Sequence, residues 1–190
     1  MDNKFFNFIK PALNYIDSGE FFRKPFQWVY MLIAALNLLF PLYIMYRAIN
    51  AGVFQHLPAK SIIGFILFWI ILAAACWVGF QIWWDRRTKV LNTTSTEDHY
   101  VAIPVFTHFV QTLGEWLGSF IAIVGFSSGL LSLIFGEGGP MEMVPMPTGE
   151  GIQAMVMSPL VGFFIIVLAK FIAEFFKVFT SIEKNTKKVF

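Results

Sequence analysis

Two ionisable side chains interrupt the last long apolar run of the chain, where a charge is costly. Lys170 and Glu174 fall within residues 160–179, and at positions i and i+4 of a helix they share one face and can pair. If the span begins at Pro159, Lys170 lies ~16 Å along it, close to mid-bilayer. An isolated charge there costs at least ~2.5 kcal/mol, so the two side chains need each other or a wet cavity. Because ion or proton paths usually carry more polar residues than two, we favour a structural pair over such a path.

A second polar group precedes the third apolar run. Its members lie within two helical turns and share one face: His108, Gln111, Thr112 and Glu115. From that face they can reach toward Glu174 or Lys177 on a neighbouring helix. A membrane enzyme that used His108 and Glu115 would need a polar cavity, and a metal site would need a third ligand at metal spacing, which the pattern lacks. We predict a polar cluster at the inner membrane face, without a metal and without a catalytic role.

The composition places these residues in a membrane protein. Hydrophobic residues make up 57% and charged residues 14% of the chain, against about 45–50% and 25% in soluble domains. Four apolar runs reach the length of about 20 residues that a transmembrane helix needs: 26–46, 62–84, 116–135 and 159–180. We therefore predict an all-α integral membrane protein with four transmembrane helices. A net charge of +2 gives no reason to expect a nucleic-acid partner.

The distribution of basic residues predicts the orientation of these spans. Of the 14 Lys and Arg residues, two (Arg47 and Lys60) fall on one side, Lys170 falls within a span, and the other eleven fall on the opposite side. These eleven are Lys4, Lys10, Arg23, Lys24, Arg86, Arg87, Lys89, Lys177, Lys184, Lys187 and Lys188. Cytoplasmic loops are enriched in Lys and Arg, so both termini are predicted to be cytoplasmic.

Each pair of spans is preceded by a predicted amphipathic helix on the inner surface. Near the N-terminus, apolar residues recur at helical spacing beside polar ones: Phe5, Phe8, Ile9, Ala12, Leu13 and Ile16. A helix with such a stripe lies flat on a membrane. Residues 101–135 are too many for one span, and they predict a second surface helix over about 103–113 that leads into the span beginning at Trp116.

The two halves of the chain resemble each other, which predicts a tandem repeat. A shift of 98 positions aligns the Gly-Phe pair at 64–65 with the pair at 162–163. Residues 1–90 would form a surface helix and a first hairpin of spans, 91–100 a polar cytoplasmic linker, and 101–190 a second surface helix, a second hairpin and a basic tail. Both halves start on the inner side, so the repeat is parallel rather than inverted.

Small residues form a seam along the third span at spacings of 4, 3, 4 and 3. The seam consists of Gly118, Ala122, Gly125, Gly129 and Ser132. Such seams let helix backbones approach closely in lipid, where packing drives helix association. The partner is either the fourth span or a helix of another subunit, and the pattern does not choose between them.

The end of the last span carries a motif: a basic residue, Glu four positions later, and Ile and Asn eight and eleven positions after the Glu. Here these are Lys170, Glu174, Ile182 and Asn185. With this motif, residues 101–189 resemble a bacterial family of small two-span membrane proteins known as domain of unknown function 4282. Thr180 departs from the Phe usual in that family, and the matching positions of the first half, Leu72 and Cys76, lack the charged pair. The resemblance implies a hairpin in the bacterial inner (cytoplasmic) membrane, and the family has no established activity to carry over.

The outer loop between the third and fourth spans is rich in methionine, with Met141, Met143 and Met146. Thioethers suit Cu(I), but ligand softness alone does not make a site, and contact with lipid or a partner accounts for these residues equally. The sequence also lacks the nucleophile, phosphate-loop and metal-hydrolase motifs. We therefore predict no metal and no cofactor.

These patterns predict a non-enzymatic accessory or scaffold subunit of a bacterial inner-membrane protein assembly. The lack of a chemical motif, the small-residue seam and the 23 Phe residues support this hypothesis, because Phe offers surface to lipid or to a partner. The expected partners are the lipid bilayer and other membrane protein subunits or a second copy of the chain. The alternative is a small oligomeric ion channel or transporter with a charged path through the second hairpin, lined by Lys170, Glu174, Glu115 and His108.

Overall fold

Helices are the only regular structure in the residues that the computed structural model describes, which are 9–17, 20–92, 102–136 and 147–186. In chain order they are α1 (Lys10–Asp17), α2 (Glu20–Asn50), α3 (Val53–His56), α4 (Ala59–Lys89), a 3-10 turn (Val90–Asn92), α5 (Ala102–Phe120), a π segment (Ile121–Gly125), α6 (Phe126–Phe135) and α7 (Gly151–Thr186). The predicted all-α fold is confirmed for this part of the chain.

Four helical segments are long and apolar enough to cross a membrane: Phe21–Asn50, Ala59–Asn92, Ala102–Phe135 and Gly151–Ile182. Each contains one of the four predicted spans, so the prediction of a multi-pass membrane protein is confirmed at this level. Each has 30 to 34 residues, which is about 45–51 Å of helix against a hydrocarbon core of about 30 Å. The helices are therefore longer than the core is thick, and they carry polar side chains beyond it.

A short connection joins α2 to α4. Gly52 has a φ of +68°, a left-handed conformation that glycine adopts readily. The backbone N–H groups of Gln55 and His56 donate to the Gly52 carbonyl at 2.9 and 3.1 Å, and they start the single turn of α3. Among the described elements, α2 makes its most extensive contact with α4.

Two clusters of buried apolar side chains form the core. One is built around Phe65, Phe68 and Leu72 of α4, on the side of the α2–α4 connection. The other is built around Tyr30 of α2 and Trp83 of α4 and includes residues of α5. It lies where α2 and α5 begin and α4 ends, and we call this side of the molecule the basic end. Both clusters contain residues from each half of the chain, so the halves share one core.

α7 packs on its neighbouring helices through small residues rather than large apolar ones. Its buried residues are Gly151, Ala154, Ser158, Gly162, Ala169 and Ala173. They pack on α5, the π segment and α6, and no α7 residue belongs to either core cluster in the described part of the chain. Only 17% of the most apolar stretch of α7 is buried, against 39% for α4. Most of the α7 surface therefore faces outward.

The second predicted surface helix is continuous with the third span in the structure. α5 runs without a break from Ala102 to Phe120, and the π segment joins it directly to α6. The residues predicted to lie on the membrane surface form the first turns of α5, and their position at that surface stays a prediction. Within this stretch His108 and Thr112 are hydrogen-bonded to Tyr30 of α2, which holds the first turns of α5 against that helix.

α1 covers part of the first predicted surface helix. Ile9 and Ile16, at either end of this region, are both exposed, while Phe5 and Phe8 lie outside the described residues. The predicted linker at 91–100 starts within the 3-10 turn Val90–Asn92, and the rest of it also lies outside them. Whether α1 rests on a membrane surface stays a prediction.

Candidate functional site

Tyr30 and His108 form the centre of a polar network between the helices. The Tyr30 Oη lies 2.8 Å from His108 Nδ1 and 3.4 Å from Thr112 Oγ1. The Thr112 hydroxyl donates in turn to the backbone carbonyl of His108 at 2.8 Å. Tyr30 and Thr112 are fully buried. Polar contacts shielded from solvent therefore join α2 to α5.

Glu115 has hydrogen-bond donors on both of its carboxylate oxygens. Arg86 of α4 donates from Nη2 to Oε2 at 2.5 Å, and Gln111 donates from Nε2 to Oε1 at 2.9 Å. The Arg86 and Glu115 side chains are 23% and 27% exposed, so the ion pair is partly shielded from water. Shielding strengthens such a pair relative to one on an open surface. Of the predicted cluster, the structure thus bonds His108 to α2 and Glu115 to α4, while Gln111 is bonded to Glu115 of its own helix.

Asn37 of α2 and Trp116 of α5 form a hydrogen bond to each other in front of Gly79 of α4. Trp116 Nε1 donates to Asn37 Oδ1 at 2.9 Å, and Asn37 Nδ2 donates to the Ile33 carbonyl at 2.8 Å. A Cβ added to Gly79 would lie 2.7 Å from Trp116 Nε1 and would overlap Asn37 Oδ1. The absence of a side chain at residue 79 therefore leaves the space that this hydrogen bond occupies.

Aromatic rings enclose the network. Trp83 packs edge to face on Tyr30, with ring centroids 4.9 Å apart, and on Trp116, with centroids 6.1 Å apart. The ring of Phe109 lies 5.7 Å from that of Trp83. Trp83 is fully buried, and its Nε1 has no hydrogen-bond partner in the described part of the protein. The polar groups are thus held in an apolar enclosure, which strengthens each of their hydrogen bonds.

Lys170 and Glu174 lie outside this network. Both are exposed on α7, and within the described ranges neither has an ion-pair partner. The structure therefore does not form the predicted Lys170–Glu174 pair. One physical reason is the order of the two residues, because a helix favours Glu before Lys at this spacing and tilts side chains toward its N-terminus.

The depth of Lys170 also changes. The prediction started the last span at Pro159, but α7 begins at Gly151 and continues through Pro159. Lys170 is thus ~28 Å from the start of the helix. Ala169 packs on Gly114, which puts Lys170 near the level of Glu115 but on the exposed side of α7. A span that entered the hydrocarbon at Gly151 would place Lys170 near the far edge of the core, not in its middle.

α5 and α7 enclose a groove at the basic end. Its volume is about 260 Å³, and its walls include Thr107, His108 and Gln111 from α5 and Phe176, Lys177 and Thr180 from α7. His108 and Gln111 of the predicted polar cluster therefore line one groove together with Lys177. Glu174, the other predicted neighbour, does not line it.

The small-residue seam has α7 as its partner. A Cβ on Gly118 would overlap the Gly162 carbonyl oxygen, and a Cβ on Gly162 would overlap that of Gly118 and lie 2.9 Å from the Cβ of Ala122. A Cβ on Gly129 would likewise lie 3.0 Å from the Cβ of Ala154. Of the two partners that the sequence left open, the fourth span is the one that the seam contacts in this structure.

Hydroxyl groups accompany the outer part of the seam. The space left by Gly125 is occupied by Ser158, whose Oγ lies 2.6 Å from Thr148 Oγ1. Both hydroxyls belong to buried residues. Ser132, the last member of the seam, donates its hydroxyl to the Gly129 carbonyl of its own helix at 2.9 Å. At Gly125 the seam therefore packs on a buried pair of hydroxyl groups that belongs to α7 and the segment before it.

The methionine-rich loop is not part of the described structure. Met141, Met143 and Met146 all lie outside the described residues, so the structure does not test whether they bind copper. Among the residues that are described, no three His, Cys, Asp or Glu side chains converge as metal ligands would. The geometry accordingly gives no donor set to which a metal can be assigned.

Sequence reasoning missed the partners that the first half supplies. Tyr30, Asn37 and Arg86 complete the network, but none was predicted as a site residue. Asn37 is a polar side chain inside an apolar run, which is the signal that singled out Lys170. Arg86 had been assigned to the basic boundary of its span, where it contributes to orientation. A search for polar side chains within or beside the apolar runs would have identified both Asn37 and Arg86.

No family model matches the chain, and no curated protein or solved structure matches it. The resemblance of residues 101–189 to the two-span bacterial family therefore stays a prediction. A function must be proposed from the geometry and the chemistry of the residues described above.

Proposed function

We propose that the protein is a non-enzymatic accessory or scaffold subunit of a bacterial inner-membrane assembly, and that α7 meets the partner. One observation carries the proposal: exposed charges and exposed aromatic rings alternate along the last turns of α7. The charges are Lys170 and Glu174, and the rings are Phe171, Phe175 and Phe179. We call these five residues the docking face.

No single depth in a bilayer suits both sets of residues. If the hydrocarbon reaches Phe179, then Lys170 and Glu174 face lipid at a cost of at least ~2.5 kcal/mol for each charge, although the Lys side chain can extend toward the headgroups. If the hydrocarbon ends near Lys170, the rings of Phe175 and Phe179, which are 52% and 54% exposed, face water. Contiguous exposed apolar surface marks interaction sites. A partner that covers the docking face removes the conflict in either placement.

The chemistry of the docking face indicates a helix of another membrane protein as the partner. The rings of Phe175 and Phe179 meet edge to face with centroids 4.6 Å apart, and the rings of Phe171 and Phe175 stack with centroids 6.3 Å apart. A helix with apolar side chains against this row, an acidic group near Lys170 and a basic group near Glu174 would complement it. Such charge-assisted contacts are strong where water is excluded.

The engagement of the interior polar groups supports the non-enzymatic part of the proposal. His108 is bonded to Tyr30, and Glu115 is bonded to Arg86 and Gln111. These are the two side chains that a membrane enzyme would have used. Because each is tied to another helix, we assign them a role in holding the helices together and assign no catalytic residue.

We further propose two tandem hairpins with both termini in the cytoplasm. The extensive contact of α2 with α4, and of α5 and α6 with α7, supports the hairpins. The basic end carries Arg86, Arg87 and Lys177, and the excess of Lys and Arg in cytoplasmic segments supports the orientation. The family resemblance supports the bacterial inner membrane as the location.

Photo-crosslinking from α7 tests the docking face. A photoreactive amino acid replaces Phe171 in the full-length protein, expressed at native level in its own membrane, and the matched control replaces Leu42, an exposed residue of α2. We expect one adduct of defined mass with a different membrane protein from position 171 and none from position 42. Exchange of the two charges, Lys170→Glu with Glu174→Lys, should abolish that adduct without lowering the thermal midpoint of the isolated protein. Equal labelling from both positions, or an adduct that survives the exchange, would contradict the proposal.

A self-adduct would favour the alternative function, a small oligomeric ion channel or transporter. Lys170 and Glu174 are exposed on α7 while Glu115 is paired inside, so a charged path would have to run between copies rather than through one chain. Flux of ions through liposomes that contain the purified protein distinguishes the two. Lys170→Met combined with Glu174→Gln should abolish flux in a channel, whereas a scaffold shows no flux before or after the change.

A further inference from the structure

The groove between α5 and α7 has an unbalanced positive charge. Its described lining includes Lys177 and no carboxylate. Lys177 has no ion-pair partner within the described residues, and Glu174, one turn earlier on α7, is not paired with it. On the α5 side, Glu115 is already neutralised by Arg86. The ammonium group of Lys177 can therefore bind an anionic ligand in the groove.

Hydrogen-bond donors line the same groove. Thr107 is only 2% exposed, and its Oγ1 has no hydrogen-bond partner among the described residues. A buried hydroxyl without a partner is costly, so a ligand that supplied one would bind with that gain. His108 also lines the groove, and its Nδ1 is hydrogen-bonded to Tyr30 Oη at 2.8 Å. Gln111 gives one amide hydrogen to Glu115 and retains another.

Apolar side chains form much of the remaining wall of the groove. They are Ile103 and Pro104 of α5 and Phe176 of α7, while the Thr180 hydroxyl is already bonded to the Lys177 carbonyl at 2.9 Å. The ring of Phe176 also meets that of Phe106 edge to face, with centroids 6.1 Å apart, and this contact ties the last turns of α7 to the first turns of α5. A ligand with an anionic head and an apolar body matches these walls better than a free ion does. Basic pockets between transmembrane helices bind the headgroups of anionic lipids in this way.

We propose that this groove binds the phosphate group of an anionic phospholipid. Lys177 supplies the positive charge, Thr107 and Gln111 supply hydrogen bonds, and Phe176 lies along an acyl chain. The inference goes beyond the scaffold function and does not depend on it, because the docking face includes neither Lys177 nor any residue of α5. A lipid held here would bridge α5 and α7 at the basic end, beyond the reach of the small-residue seam.

Native mass spectrometry of the full-length protein in mild detergent tests the site. Phosphatidylglycerol and phosphatidylcholine of equal chain length are titrated separately, and inorganic phosphate is added as a competitor. We expect one tightly retained phosphatidylglycerol, and about fivefold weaker retention in Lys177→Gln, as the loss of one basic residue near a lipid headgroup implies. The matched control is Lys60→Gln, an exposed lysine at the first turn of α4 and away from the groove, which should bind as the natural chain does.

Thr107→Val separates a bound lipid from a structural role of the groove. Val has the shape of Thr without the hydroxyl, so the substitution should preserve or raise the thermal midpoint in phosphatidylcholine while reducing the rise that phosphatidylglycerol produces. Equal retention of the two lipids, or equal losses in Lys177→Gln and Lys60→Gln, would overturn the proposal. Displacement of the lipid by millimolar inorganic phosphate would instead assign the groove to a free phosphate ion and would equally overturn the lipid site. None of these readouts requires the partner of the docking face, so the two proposals fail independently.

Discussion

Gly118 of α5 and Gly162 of α7 each hold the other's carbonyl oxygen in the space where a Cβ would be. The contact is reciprocal and brings backbone against backbone. In lipid the hydrophobic effect does not drive helices together, so close packing of this kind is a main source of attachment. Because α7 adds no described residue to either apolar cluster, its position depends on this contact and on its neighbours along the seam.

Gly118→Val should therefore loosen α7. The added side chain would overlap the Gly162 carbonyl oxygen and the Ile166 side chain, and overpacking of this kind costs about 1–3 kcal/mol. The thermal midpoint of the full-length protein in mild detergent measures the effect. Ala35→Val creates the same side chain at an exposed position of α2 and should leave the midpoint unchanged. Equal midpoints for the two variants would show that the seam does not hold α7.

The hydrogen bond between Asn37 and Trp116 should show non-additive energetics. Asn37→Leu leaves the indole N–H of Trp116 without an acceptor, which costs about 1–3 kcal/mol for a shielded group. Adding Trp116→Phe removes the orphaned donor, so the double variant should lose less than the sum of the two single variants. Unfolding in detergent measures the three free energies. Trp77→Phe, at an exposed indole, is the control for loss of a Trp. If the free-energy losses of the two single variants simply add in the double variant, the Asn37–Trp116 hydrogen bond does not stabilise the protein.

Arg86→Gln should destabilise the protein more than Lys89→Gln. The Arg86–Glu115 pair is mostly shielded, and its loss leaves Glu115 with a single donor, at a cost of about 1–3 kcal/mol once partial exposure is allowed for. Lys89 pairs with Asp85 at 2.5 Å, but their side chains are 57% and 62% exposed, so that pair adds little. Thermal midpoints measured at low and high salt provide the test. If high salt lowers the midpoint of the natural chain to that of Arg86→Gln, the Arg86–Glu115 pair is screened like a surface pair and the expectation is wrong.

The four spans could be predicted because apolar length is a local property of the sequence. Their bounds could not, since a helix ends where its partners end. α5 continues without a break into the third span, where His108 is bonded to Tyr30 and Glu115 to Arg86, and α7 starts early, at Gly151, because that residue already packs on Gly129. These partners lie elsewhere in the sequence, so the local pattern of each helix does not reveal where the helix begins or ends.

The contents of the candidate site were predictable in part for the same reason. Helical periodicity put His108 and Glu115 on one face, but it does not say which helix that face meets. Tyr30 and His108 are 78 positions apart, and no local pattern connects them. For Lys170 and Glu174 the spacing allowed a pair, whereas the packing of α7 through its small residues leaves both on the open side.

The principal polar contacts of the network cross from one half of the chain to the other, as Tyr30–His108, Asn37–Trp116 and Arg86–Glu115. The halves therefore behave as the two unlike members of a fused heterodimer. A gene split between the codons for residues 92 and 102 would yield fragments that recognise each other, because each leaves polar groups in the membrane that only the other can satisfy. Two copies of either fragment would not substitute, since Tyr30 would then lack His108 and Glu115 would lack Arg86.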